Sequence, residues 1–326
     1  MLIAFSSRSF RGHILFAFGR LSCCPICECT QLSPLPPPGH WIGESVFSPF
    51  GSARGLSSCR ICGFIFTNPR PNQELLNLFY SGDDYGCHEA NKSNEALRTA
   101  ELLLEFVEGS GPQLSQKSLL DFGCGGGFLL EHAARLGWDT VGFDVGARAL
   151  RTCRQQGLKV TDDLADFQNG SFGAIIMNHV FEHVGDPVGL LFRLRQLLRH
   201  DGRLLIRVPN VVSLRARLSP RLLSRKFGFD ERYRAFPIHL SYFNKATLCR
   251  LLDKADYEIA ATRTVGLGLD EMVVGRQQYR KLPVQTNPVA PSRYTARPRW
   301  RKVIKAAFFG AGLGEYLQVV AHPKRT

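Results

Sequence analysis

An acid, a glycine-rich turn and a second acid carry the chemistry most plainly written in this chain. Leu119-Leu120-Asp121-Phe122-Gly123-Cys124-Gly125-Gly126-Gly127-Phe128 runs from an apolar strand pattern through the first acid into a turn, and a helical pattern follows. Val141-Gly142-Phe143-Asp144 then ends a second apolar run on another acid. Two parallel strands ending this way build a nucleotide-type cofactor site at their carboxyl ends. The glycines let the backbone bend sharply, let a ligand approach, and lead into a closely packed helix whose N-terminus offers free N–H groups to a carboxylate. A dinucleotide fingerprint places its third glycine where this chain has Phe128. Asp121 would repel a pyrophosphate but attract the ammonium and sulfonium of S-adenosylmethionine. Asp144 is placed to accept hydrogen bonds from ribose hydroxyls.

A second group of side chains suits metal chemistry. Cys24-Pro25-Ile26-Cys27 and Cys59-Arg60-Ile61-Cys62-Gly63 are two C-x-x-C pairs, and two thiolates at that spacing bind one face of a tetrahedral ion. Cys24, Cys27, Cys59 and Cys62 are therefore the expected ligands of a structural Zn2+, with unmetallated core cysteines as the alternative. Cys23 and Cys29 offer poorer spacing. The loop between the pairs is longer than in a compact ribbon.

The elements that must position these groups follow from the apolar patterning. Strands are expected at 118–122, 139–143, 158–160, 172–178 and 203–208, with helices at 128–136, 148–156 and 187–199 between them. Such alternation indicates a parallel sheet covered on both faces. A helix at 245–255, a strand near 257–264 and a last strand at 315–321 complete the pattern. The chain divides into a leader over 1–22 without expected order, a cysteine module over 23–70, a helical linker or cap over 71–116, and a large domain over 117–326. Within that domain 282–300 reads as an exposed basic loop.

Composition narrows the setting. With 326 residues, 44% of them hydrophobic, the chain can bury a full core. Ten cysteines without a regular framework, four of them in pairs, suit a reducing cytoplasm with one metal site rather than a secreted disulfide scaffold. No segment approaches the ~18 uninterrupted apolar residues of a membrane span. The net charge of +13 is local: 193–234 is rich in arginine, and 280–305 carries many Arg and Lys and no acid. Those runs fit either solvated faces or a docking surface for nucleic acid, and only Tyr294 and Trp300 interleave the second run for base stacking. Arg8, Arg11 and Arg20 in an acid-free start fit either a targeting peptide or a disordered leader.

The stretch Leu119–Asp144 resembles the class I S-adenosylmethionine-dependent methyltransferases. Phe172–Asn178 with His179-Val180-Phe181-Glu182-His183-Val184-Gly185-Asp186-Pro187 resembles the fourth strand and following loop of their ubiquinone-methyltransferase-like branch. Leu197–Asn210 resembles the next helix, turn and strand, with His200-Asp201-Gly202 departing from the usual turn. The resemblance implies an α/β fold, a doubly wound and mostly parallel seven-stranded Rossmann-like sheet. It implies cofactor contacts at Asp121, Gly123, Gly125 and Asp144, with Asp163 and Leu164 at the adenine edge and Asn178 and His179 near the methionine moiety. Cys59–Pro71, with Leu78-Phe79-Tyr80 and Asp84-Tyr85, resembles the zinc-ribbon segment fused ahead of certain small-molecule methyltransferases.

Methyl transfer to a hydroxyl or a carbon acid requires removal of a proton. His183, in the loop after the fourth strand, and His239, in the excursion that roofs the acceptor pocket of this fold, are the candidate catalytic residues. Glu182 is placed to orient a histidine, and Tyr233 and Tyr242 are further candidates. The expected acceptor is a small molecule, a sugar or secondary metabolite methylated on oxygen or carbon. The alternatives are an RNA or protein methyltransferase that docks through the basic surface, and a scaffold that binds the cofactor without catalysis.

Overall fold

The structure, a computed structural model, describes residues 18–35, 55–72, 75–76, 80, 94–218, 239–266 and 308–324. Its centre is β6 (Ser118–Phe122), all five residues of which are buried. A strand buried on both faces must be apolar nearly throughout, so Asp121 stands out within it.

From β6 the chain winds outward through α2 (Phe128–Arg135), β7 (Asp139–Phe143), α3 (Ala147–Gln155) and β8 (Val160–Thr161). It then returns to the other side of β6 with β9 (Phe172–Asn178), α4 (Pro187–Leu197) and β10 (Leu198–Pro209). Helix α1 (Asn94–Glu108) precedes the sheet and lays Leu103, Leu104 and Val107 against Leu119, Leu129 and Leu205. Helix α5 (Lys245–Lys254), closed at its start by a capping box between Asn244 and Thr247, leads into β12 (Tyr257–Val265), and β13 (Tyr316–Pro323) ends the sheet.

The seven strands lie in the order β12-β13-β10-β9-β6-β7-β8. Only β13 runs against its neighbours. This is the doubly wound, mostly parallel α/β sheet expected from the sequence. The winding reverses between β6 and β9, which opens a crevice at their carboxyl ends where ligands bind in such sheets.

The cysteine segment forms an antiparallel sheet of β2 (Leu32–Leu35), β3 (Leu56–Cys59) and β4 (Ile65–Thr67). Its fourth strand, β11 (Ser241–Tyr242), comes from the large domain and pairs with β4. Cys24, Ile26, Phe64 and Phe66 share one apolar cluster with Phe181, Phe243 and Leu248, so the ribbon and the large domain are packed as one core.

Element boundaries differ from the expected ones at several places, among them the strand expected at 158–160, which is Val160–Thr161, and two others have a visible structural setting. The leader was expected to extend to residue 22, but Phe18–Gly19 (β1) pairs with Arg70–Pro71 (β5), and Leu21 N–H donates to Asn68 Oδ1 at 2.9 Å. Residues 1–17 lie outside the described residues, as does the basic loop over 282–300. The helix expected to reach residue 199 stops at Leu197, and β10 begins at Leu198 with a register shift before Arg203. At Gly202 a Cβ would stand 2.8 Å from the Phe172 carbonyl oxygen, so β10 passes close to the start of β9 there. Arg203 then sends its guanidinium into the end of α1, donating to the carbonyls of Val107 at 2.7 Å and Glu108 at 3.0 Å. Those carbonyls are among the four that a helix terminus leaves without intrahelical partners.

Candidate functional site

The turn after β6 is held in shape by its glycines. Gly123 has φ +79°, and a Cβ there would meet Val180 Cγ2 at 2.3 Å, so neither the conformation nor the space admits a side chain. At Gly125, φ +52°, a Cβ would meet nothing within 4 Å, so this face of the turn is open. The N–H groups of Gly123 and Cys124 both donate to the Phe143 carbonyl, at 2.7 and 3.1 Å, which fastens the turn to the end of β7.

The two acids close on this turn. Asp144 Oδ2 accepts from Gly125 N–H and its Oδ1 from Gly146 N–H, each at 2.8 Å. A carboxylate has about four acceptor sites, so both oxygens retain capacity for hydroxyl donors. Asp121 is 4% exposed. Burial, and after it the Asp144 charge, pushes its carboxyl up to about 7. An anion held there against such a penalty is stabilised by any cation entering the crevice.

The remaining expected cofactor residues lie on neighbouring strand ends. Asp163 caps a short helical turn over Leu164–Asp166, accepting from Ala165 N–H at 2.8 Å, and Leu164 packs against the main core. Asn178 ends β9 and accepts from Arg207 Nη1 at 3.1 Å. His179 follows with φ +60°, a left-handed conformation that is uncommon for a residue other than glycine. Its ring stands edge-on to Tyr316 at 4.8 Å, while the Arg207 guanidinium lies 4.3 Å from the same tyrosine ring. Arg207 and Tyr316 were not singled out from the sequence; each sits in an ordinary strand pattern and reaches the site only through the order of β9, β10 and β13.

Three histidines surround one buried carboxylate. Glu182 is 1% exposed, with Oε1 3.5 Å from His179 Nδ1 and 3.9 Å from His183 Nε2. The rings of His183 and His239 meet at 4.8 Å and 79°. One ligand atom from each of Glu182, His183 and His239 lies within 4.8 Å of the others. Burial pushes the Glu182 carboxyl up, but the His179 hydrogen bond and the charges of His183, His179 and His239 outweigh it and hold it at about 2. Glu182 is thus an anion positioned among imidazoles. The Tyr80 ring lies 6.2 Å edge-on from His183, and the Tyr242 ring 6.2 Å from His239. Tyr233 lies outside the described residues.

The structure also brings the four expected thiols together. Cys24 Sγ lies 3.5 Å from Cys62 Sγ, and Cys27 Sγ 3.5 Å from Cys59 Sγ, with all four sulfurs within 4.8 Å of one another. A tetrahedral ion with Zn–S bonds near 2.3 Å needs sulfurs roughly 3.8 Å apart, so the donor set fits zinc in number, chemistry and spacing. Burial raises the Cys59 thiol, but the N–H groups of Cys62 and Ile61 and the neighbouring thiols overcome it and bring it down to about 6. Burial raises Cys24. Four protein donors leave no open position for catalysis.

Residues 93–262 match a family model described as a methyltransferase domain. The chain is 34% identical over 107 residues to a ubiquinone biosynthesis O-methyltransferase of Xanthomonas oryzae pv. oryzae, covering 30% of this chain and 45% of that protein. It is 35% identical over 127 residues to the protein of the same name from Cereibacter sphaeroides, covering 35% and 51%. The chain spans about half the length of these curated relatives. Among solved structures, a Burkholderia thailandensis 1,6-didemethyltoxoflavin-N1-methyltransferase with S-adenosylhomocysteine is 16% identical, with TM-score 0.45, over 82% of this chain and 98% of that one. A SAM-dependent methyltransferase from Archaeoglobus fulgidus is likewise 16% identical, with TM-score 0.45, over 69% and 93%. No helix among the described residues is long and apolar enough to cross a membrane.

Proposed function

The chain belongs to the methyltransferase-domain family as a class I S-adenosylmethionine-dependent enzyme, and from that premise we propose that it methylates oxygen or carbon of a small-molecule acceptor, a sugar or a secondary metabolite. The observation that carries this reading is the meeting of His183, His239 and the buried Glu182 beside the β6–β9 crevice. Proton removal from an acceptor needs a base and a group to hold the cation that results. A histidine pair over a buried carboxylate supplies both. The curated relatives carry the name of an O-methylation, which is consistent with a hydroxyl acceptor.

In this reading S-adenosylmethionine, when bound, supplies an electrophilic methyl group. Asp121 offers a buried negative charge to the cationic end of the donor, and the open face of Gly125 lets the donor approach the backbone. Asp144 accepts from ribose hydroxyls, with Asp163 and Leu164 at the adenine edge and Asn178 and His179 beside the methionine moiety. His183 and His239 orient the acceptor and take its proton, and Glu182 holds the imidazolium. Cys24, Cys27, Cys59 and Cys62 hold a structural zinc that fixes the ribbon.

The test is transfer of labelled methyl from S-adenosylmethionine to a panel of sugar nucleotides, phenols and other hydroxylated metabolites, with RNA and a protein extract as competing acceptors. Label appearing in a small molecule supports the reading. Label confined to RNA or protein replaces the acceptor class.

A further inference from the structure

We propose that Arg70, in the ribbon, is a positioning residue that fixes the His183–His239 pair by clamping together the two backbone segments that carry it. Arg70 is 9% exposed and belongs to β5, three residues beyond the ribbon strand β4. Its Nη1 donates to the carbonyl of Gly185 at 2.7 Å, and its Nη2 to the carbonyl of Leu240 at 3.1 Å. Gly185 lies two residues after His183, and Leu240 directly follows His239. One planar guanidinium therefore ties the loop after β9 to the segment entering β11.

The neighbouring contacts close the same seam. Leu240 N–H donates to the Glu182 carbonyl at 2.8 Å, and Thr67 N–H donates to the Leu240 carbonyl at 3.0 Å. The Thr67 hydroxyl donates to the His239 carbonyl at 2.7 Å. Every one of these bonds acts on backbone within two residues of Glu182, His183 or His239. Burying a guanidinium is costly unless its donors are satisfied. Here burial lowers the guanidinium to about 10 and the charge of Asp186 only partly offsets it. Its Nε has no hydrogen-bond partner among the described residues, and the two η nitrogens go to carbonyls of the two histidine-bearing segments. A rigid fork with fixed donor directions suits that spanning task, and a lysine, with one nitrogen, does not.

The inference rests on the acceptor-side reading of His183 and His239, so the test includes a readout independent of any acceptor. Histidine ring Cε1–H resonances are recorded in the full chain and in Arg70→Lys and Arg70→Gln, with His132, His200 and His322 as references. The His183 and His239 peaks are assigned by their loss in His183→Gln and His239→Gln. Calorimetry measures S-adenosylmethionine affinity in parallel. The clamp requires that His183 and His239 move in both variants by more than the reference rings, with donor affinity changed less than about twofold. With an acceptor in hand, kcat should fall by up to roughly 10²-fold, the cost of a small misplacement, while KM for the donor holds. Folded variants whose His183 and His239 resonances coincide with the parent would overturn the clamp. Should both Arg70 variants fail to fold, Thr67→Val, which removes only the hydroxyl bond to the His239 carbonyl, is read by the same two outcomes. Ring shifts without methyl transfer to any acceptor would support the clamp and count against the proposed reaction.

Discussion

His183 and His239 stand edge to face with their ring centroids 4.8 Å apart, one from the loop after β9 and the other from the segment entering β11. Glu182 lies beside them as an anion, so a proton taken by either ring has a counter-charge within reach. Removing a positioned general base typically costs ~10²–10⁴ in rate. At least one of His183→Asn and His239→Asn is expected to lower kcat by an amount in that range, while S-adenosylmethionine still binds. Steady-state kinetics with the identified acceptor decide it. Full activity in both variants would remove the pair from the chemistry.

Asp144 gives a cleaner test of the donor site, because its two oxygens are already oriented by Gly125 and Gly146 N–H groups. Asp144→Ala deletes the proposed acceptor for ribose hydroxyls and the carboxylate that holds Gly125 N–H. The expected loss is about 1–3 kcal/mol of binding free energy, read by calorimetry with S-adenosylmethionine. Unchanged affinity would show that the ribose sits elsewhere.

If Asp121 belongs to the proposed donor site, donor binding is expected to depend on pH. Its carboxyl is raised from an ordinary 3.8 to about 7 by burial and then by the Asp144 charge. Between those values the folded chain keeps a proton that the unfolded chain has lost, so the Asp121 contribution to stability is full below about 4 and is lost as pH rises through 7. Asp121→Asn should therefore raise the thermal midpoint of the ligand-free protein more at pH 8 than at pH 5. Because the cationic donor favours the ionised carboxylate, affinity for S-adenosylmethionine should climb between pH 6 and 7.5 in the parent and stay flat in Asp121→Asn. Equal pH profiles in the two proteins would refute the assignment.

The strands of the sheet and the glycine turn after β6 were legible in the sequence because their signals are local. Asp121, the glycines and Asp144 fall within one strand–turn–helix–strand unit, and burial on both faces forces β6 and β9 to read as apolar runs. The His183–His239 cluster was only half legible. His183 and His239 stand out as residue types, but their meeting depends on β11 pairing with β4, which joins segments far apart in the chain. Arg70 and Thr67 lay inside a segment that reads as part of a zinc ribbon, and no periodicity shows that their side chains reach Gly185, His239 and Leu240. The pairing that ends the expected leader over 1–22 is not legible for the same reason: Phe18–Gly19 is held by a partner, Arg70–Pro71, that two residues of extended chain do not announce.

That continuity between ribbon and large domain sharpens what the metal should do. The four thiols fit zinc in spacing, and β3, which carries Cys59, is joined through β4 to β11 beside His239. Cys59→Ser with Cys62→Ser should abolish binding of about one zinc per chain, measured by metal analysis of protein prepared under reducing conditions. If the ribbon were an appendage, loss of the metal would leave the rest of the molecule untouched. Since Cys24, Phe64 and Phe66 share a core with Phe181, Phe243 and Leu248, the double variant should instead lower the thermal midpoint of the whole chain in a single transition. Methyl transfer should fall further than donor affinity, because His239 adjoins β11, which pairs with the ribbon strand β4, while Asp121 and Asp144 lie on β6 and at the end of β7. A metal-free variant with parental stability and activity would show that the ribbon does not support the site.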